Sequence, residues 1–174
     1  MKGNAKKTHD EYIEDLTVVK NMYFDFVEFL QKKGLQFTDG IFPPNSSSLV
    51  NNMRGCHVFW KNSQWSNVDD VFAKTQFLKV FKPEMLFDIK GIFPHLAVVL
   101  SSLCEYPDRI SRIFIQHQQN NEGSYLGRLF YKGCWKPILI DNFIPHDNQD
   151  LPICLKPPTH DQRFEIWPSL VAKL

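Results

Sequence analysis

Apolar residues in the first thirty positions recur at helical steps. Ile13, Leu16, Val19, Tyr23, Phe26 and Leu30 follow one another at three- and four-residue intervals, which places them on one helical face. Thr8 with Glu11 makes a capping-box pattern at one end. Lys32, Lys33 and Gly34 supply a last-turn charge and a stop at the other. The pattern predicts a polar lead over 1–8 and an amphipathic helix over 9–34, whose apolar stripe needs a partner surface.

Beyond it, over 35–174, the pattern breaks into shorter pieces. Phe37 to Leu49 is rich in Asp, Gly, Pro, Asn and Ser and reads as extended loop. Val58-Phe59-Trp60 suggests a short strand, and 61–87 carries aromatic anchors without a clean period. Ile92 to Cys104 is apolar on every side, the pattern of a buried helix with Pro94 in its first turn. Asp108 is placed to cap a following short helix through Ile110, Ile113 and Phe114. Tyr125 to Tyr131 and Trp135 to Ile140 are β-rich runs around a Gly-containing turn, a hairpin. Pro137 lacks a ladder donor, so its strand belongs at an edge or a bulge. Residues 141–161 read as loop, and a last helix is expected from about Arg163 to Leu174. The fold class is α+β.

Composition narrows the function. The chain has 174 residues, 43% hydrophobic and 14% aromatic, enough for a packed core. Its net charge is +1, with no block of like charge, which gives no general attraction to nucleic acid or anionic membrane. No apolar run approaches the ~20 residues of a membrane span. The basic start is followed by no apolar stretch of a signal peptide, and the expected location is intracellular and cytoplasmic. Cys56, Cys104, Cys134 and Cys154 form no CxxC pair and are expected to be reduced and mostly buried. Trp60, Trp135, Trp167 and Phe130 are expected in the core.

Five segments together resemble, in order, the first lobe of the calpain-type cysteine protease core, a papain-like fold. Phe37-Thr-Asp-Gly-Ile-Phe-Pro-Pro-Asn-Ser-Ser-Ser-Leu49 is similar to the family's "F-x-D-x-x-F-P-P-x-x-S-S-L". Val58-Phe-Trp-Lys61 resembles its Trp-Lys/Arg step, and Leu100 to Phe114 its buried helix and exit. Gly123 through Pro145 is similar to "G-x-Y … G-x-W-x-x-V-x-I-D-D-x-x-P". Glu165-Ile-Trp167 and the closing Ala-Lys-Leu resemble "N-E-x-W … A-K-L". The resemblance implies a buried central helix and an antiparallel hairpin over 35–174.

The departures fall on the chemistry. The family's "Q-G-x-x-G-D-C-W-F" sets a thiol at the start of the central helix, where the dipole and backbone amides favour a thiolate. Here Asp88-Ile-Lys-Gly-Ile-Phe-Pro94-His95 takes its place, with Pro94 at the cysteine position. No cysteine lies between Cys56 and Cys104, and no Gln between Gln76 and Gln116. The family's His and Asn follow the "A-K-L" helix, beyond Leu174. The resemblance therefore implies a pseudoprotease with no catalytic residue, acting as an interaction or structural module in an assembly, cytoskeletal or ciliary by analogy. Its protein partners would use the helix 9–33 or the face left open by the absent lobe. One alternative is a calcium-dependent cysteine endopeptidase completed by another chain or a longer product. Another is a calcium sensor, because Asp88 and Glu165 align with the family's calcium carboxylates. The plain reading of that pair is hydrogen bonding to backbone. His95 is expected to cap or pack, Cys56 with His57 and the His146, Asp147, Asp150, His160 and Asp161 loop carry only weak catalytic and metal signals, and no other cofactor is expected.

Overall fold

The computed structural model describes residues 9–48, 63–72, 74–83, 86, 94–147, 152–153, 155, 159–160 and 162–174. The chain divides into two compact units, Met1–Leu35 and Gln36–Leu174. The described residues of the first form one helix, α1 (His9–Lys33). Its end is built by the expected stop: Gly34 takes φ +62°, and the amides of Gly34 and Leu35 return to the carbonyls of Gln31 and Leu30. Those two bonds satisfy carbonyls that the last turn would otherwise leave open. Glu28 and Lys32, one turn apart, pair at 2.6 Å on the exposed face.

The second unit is mixed α+β. In chain order it contains β1 (Gln64–Asn67), α2 (Val68–Val71), β2 (Thr75–Gln76), α3 (Pro94–Leu103), α4 (Pro107–Ser111), β3 (Ser124–Tyr131), β4 (Cys134–Asp141), β5 (Phe143–His146), β6 (Thr159–His160), β7 (Arg163–Glu165) and α5 (Trp167–Val171). Among the described residues they form three small sheets. β1 pairs antiparallel with β5, β3 with β4, and β2 runs parallel to β7, which pairs antiparallel with β6. The core is shared by all of them: Val68, Phe77, Leu100, Ile110, Tyr125, Ile140, Ile166 and Trp167 are each no more than 2% exposed. Phe77 meets both Phe114 and Tyr125 edge to face, an arrangement that aligns ring edges with ring faces.

The hairpin closes at Lys132-Gly133, with Tyr131 facing Cys134 and φ of +50° and +82°. Two successive left-handed residues make the type I′ turn whose twist matches the strands. Arg128 N–H donates outward to the Ile113 carbonyl, so the Arg128–Pro137 pair exchanges no ladder bond. The proline nitrogen therefore faces away from β3, on an outer edge where a missing N–H costs the ladder nothing.

Several expectations need correction. α3 is ten residues long but buries only one face: Leu100 is 2% exposed, whereas Val98 and Val99 are 66% and 53% exposed. Residues read as loop after 141 include β5, because Phe143–His146 finds a partner in β1. The last helix begins at Trp167, not near Arg163, since Arg163–Glu165 is drawn into a strand by β2 and β6. Asp108 lies inside α4; Tyr106 is the cap residue, without a side-chain bond. Phe130 and Trp135 are 62% and 40% exposed rather than core, and Cys134 is exposed. Thr8, the 58–60 segment, Trp60, Cys56, His57, Cys154 and Asp88 lie outside the described residues.

Candidate functional site

The resemblance aligns the start of α3 with the family's nucleophile position. Pro94 is its first residue, and both Pro94 and His95 are exposed. A proline suits this position because the first helical N–H has no intrahelical acceptor to lose. It brings no nucleophile. Cys104 lies one residue past the other end, buried at 4% exposure. Ten residues of helix put it about 15 Å away, at the end where the dipole opposes a thiolate. It packs with Leu100 and Ile110 in the core. Of the four thiols, Cys104 and Cys134 are described, the first buried and the second exposed.

Glu165 and Trp167 work as a clamp. Glu165, at the end of β7, is fully buried. Its carboxylate accepts from the amides of Lys79, at 3.1 and 3.2 Å, and Val80, at 2.8 Å. The Trp167 indole donates to the Val80 carbonyl at 3.0 Å. Leu78, just before, holds φ +55°, a strained value for a residue with a side chain. The left-handed turn points successive N–H groups at one spot, a nest that favours an anion. Burial raises the Glu165 pKa above the usual carboxylate range, although the Lys79, Val80 and Leu78 amides and the Lys79 charge pull it down.

That donor set bears on calcium. A hard cation requires several oxygen ligands, whereas backbone N–H groups surround the Glu165 oxygens. Among the described residues no group of three or more His, Cys, Asp or Glu side chains could hold a metal ion. The residues described around Glu165 therefore suit an acceptor of backbone amides and do not suit a calcium cage.

A second buried node joins three sequence motifs. Asp141, at the end of β4, is fully buried. It accepts from Asp39 N–H at 2.7 Å and Phe143 N–H at 3.0 Å, and pairs with Lys173. Lys173 also donates to the Asp141 carbonyl at 3.2 Å and lies 5.9 and 5.8 Å from the Phe42 and Trp65 ring centres. Asp39 in turn accepts from Ile41 and Phe42 N–H, at 2.8 and 3.1 Å. The "F-x-D", "I-D-x" and "A-K-L" motifs thus meet at one buried ion pair that fixes loop, hairpin and C-terminal helix. Gly123 is required beside it: at φ +68°, a Cβ there would sit 2.6 Å from the Asn142 side chain.

A Ser–His pair was not legible in the sequence. His146, 3% exposed, places Nδ1 3.0 Å from the Asp147 carbonyl and Nε2 2.9 Å from Ser66 Oγ. A carbonyl only accepts, so Nδ1 carries the proton and the Ser66 hydroxyl donates to Nε2. Nucleophilic serines use the same donor order. Here the pair spans the β1–β5 ladder with the imidazole enclosed, and it ties the strands together. Only the strand register brings Ser66 and His146 together. Asp150 and Asp161 lie outside the described residues, as does the His160 side chain.

The sequence is similar to those of several known proteins. The family model described as calpain family cysteine protease matches residues 37–174. The calpain-type cysteine protease DEK1 of Arabidopsis thaliana is 28% identical over 146 residues, 79% of this chain and 7% of that protein. The calpain-like protease palB/cpr-8 of Neurospora crassa is 30% identical over 88 residues, 49% of this chain and 9% of that protein. Human androglobin is 41% identical over 54 residues, 31% of this chain and 3% of that protein. The chain thus spans between 3% and 9% of the length of these relatives.

Proposed function

Since the chain belongs to the calpain family of cysteine proteases, we propose that it is a non-catalytic member, a calpain-like module that serves as a protein-interaction element of an assembly. The observation that carries this reading is Pro94. It opens α3, exposed, where the family's chemistry needs a thiolate, and the sequence holds no cysteine between Cys56 and Cys104. The buried Glu165–Trp167 clamp and the Asp141–Lys173 node support the same reading, because they maintain the scaffold around a helix start that has no nucleophile.

The partner surface in this reading is the exposed side of α3. His95, Val98, Val99 and Ser102, at positions i, i+3, i+4 and i+7, are all exposed. That is one face of the helix, and its two valines are uncovered. An apolar protein surface suits such an uncovered apolar face. The helix α1 offers a further amphipathic surface.

An electrophilic thiol probe tests the proposal. The protein, with calcium and then with chelator, is treated with a peptide-based cysteine-protease probe and mapped by mass spectrometry. The expected result is slow, calcium-independent labelling of exposed thiols such as Cys134. Rapid, calcium-dependent labelling of one cysteine, blocked by a peptide substrate, would restore the endopeptidase alternative.

A further inference from the structure

The far end of the β3–β4 hairpin carries a cluster that the proposed function does not use. Phe130, Tyr131 and Trp135 are 62%, 58% and 40% exposed. Three cations are interleaved with them. The Arg128 guanidinium lies 5.1 Å from the Trp135 ring centre and the Lys132 ammonium 5.1 Å from that of Tyr131. Lys136 follows Trp135 and is exposed. No acidic residue occurs from Ser124 to Ile140. Along the chain Arg128, Lys132 and Lys136 are four residues apart; the two-residue turn folds them to one end. Phe130 and Trp135 pack edge to face, with ring centres 5.4 Å apart.

We propose that this hairpin end, residues 128–137, is a peripheral docking tip for an anionic lipid surface. The strand register decides which faces the rings occupy. Phe130 pairs with Trp135 and Tyr131 with Cys134, and side chains alternate along a strand. The Phe130–Trp135 pair therefore lies on one face of the hairpin and Tyr131 on the other. A flat protein surface covers one face; a headgroup layer surrounds the tip on both. Aromatic rings with polar edges settle in that layer. Lysine stems extend along it, with their charges at the phosphates.

Strand addition by an acidic peptide suits the tip less well. The outer edge of β4 lacks a donor at Pro137, whose nitrogen faces outward, and a proline there blunts pairing with another strand. With a net charge of only +1 on the whole chain, attraction is local to the tip and should be screened by salt.

Vesicle co-sedimentation tests this with the full chain. It should sediment with phosphatidylcholine vesicles that contain phosphatidylserine, not with phosphatidylcholine alone. Trp135 emission should shift to the blue on binding, and the shift should be lost in Trp135→Phe. Lys132→Gln combined with Lys136→Gln changes two exposed side chains, and should weaken binding about thirtyfold with an unchanged melting temperature. No binding by the parent chain, or binding indifferent to both lysines, would overturn the proposal. So would a soluble polyglutamate peptide that binds as tightly as the vesicles through the same lysines, an outcome that assigns the tip to an acidic protein.

Discussion

Glu165 shows how one side chain can be present for a structural reason in a fold known for chemistry. Its carboxylate completes a nest of amides at Lys79 and Val80, and burial raises its pKa. The sign of the pH effect follows. Between the ordinary carboxylate pKa and the raised folded value, the folded state binds more protons than the unfolded one, so this group's contribution falls as pH rises. The stability of the parent chain relative to Glu165→Gln should therefore improve as pH drops from 7 towards 4.5, measured by urea unfolding of both. A flat difference would show that the carboxylate is ionised throughout. The Asp141–Lys173 pair makes a stronger demand. Lys173→Met leaves a fully buried carboxylate with only its amide donors, and should cost about 3–5 kcal/mol. Gly123→Ala should also destabilise, through its left-handed φ and the Asn142 contact. Thermal melting of both variants checks these outcomes. The sequence offered backbone hydrogen bonding as the plain reading of Glu165 and showed Asp141 only as a motif letter; neither set of partners was legible, because they lie 86 and 102 residues away.

At the scale of elements, features with local causes were readable. α1 follows from its apolar step and the Gly34 stop, and the hairpin follows from β-rich runs around Lys132-Gly133. Elements made by distant pairing were not. β5 exists because β1 pairs with it, and β7 because β2 and β6 do; their own residues carry no strong period. α3 is the instructive case. Its composition is apolar all round, but the second unit covers only the Leu100 side. Leu100→Ala should cost about 2–5 kcal/mol, whereas Val98→Asp, at an exposed position, should stay within about 0.5 kcal/mol. Equal losses in the two, read from chemical denaturation, would show that the valine face is covered in solution.

Across the whole molecule, the recognisable segments proved to be those that hold the scaffold. The "F-x-D", "I-D-x" and "A-K-L" residues meet at Asp141, and Glu165 with Trp167 grips the 78–80 turn. These contacts join loop, hairpin and C-terminal segment without using any residue at the start of α3, where the resemblance aligns Pro94 with the nucleophile. In a non-catalytic calpain-like module, no peptide-bond hydrolysis depends on the chain's thiols. The most direct measurement is cleavage of a denatured protein substrate, followed by mass spectrometry, in calcium and in chelator. The parent chain should be compared with a variant in which Cys56, Cys104, Cys134 and Cys154 are all serine. No cleavage above buffer is expected for either protein. Calcium-dependent cleavage by the parent chain that disappears in the serine variant would contradict it.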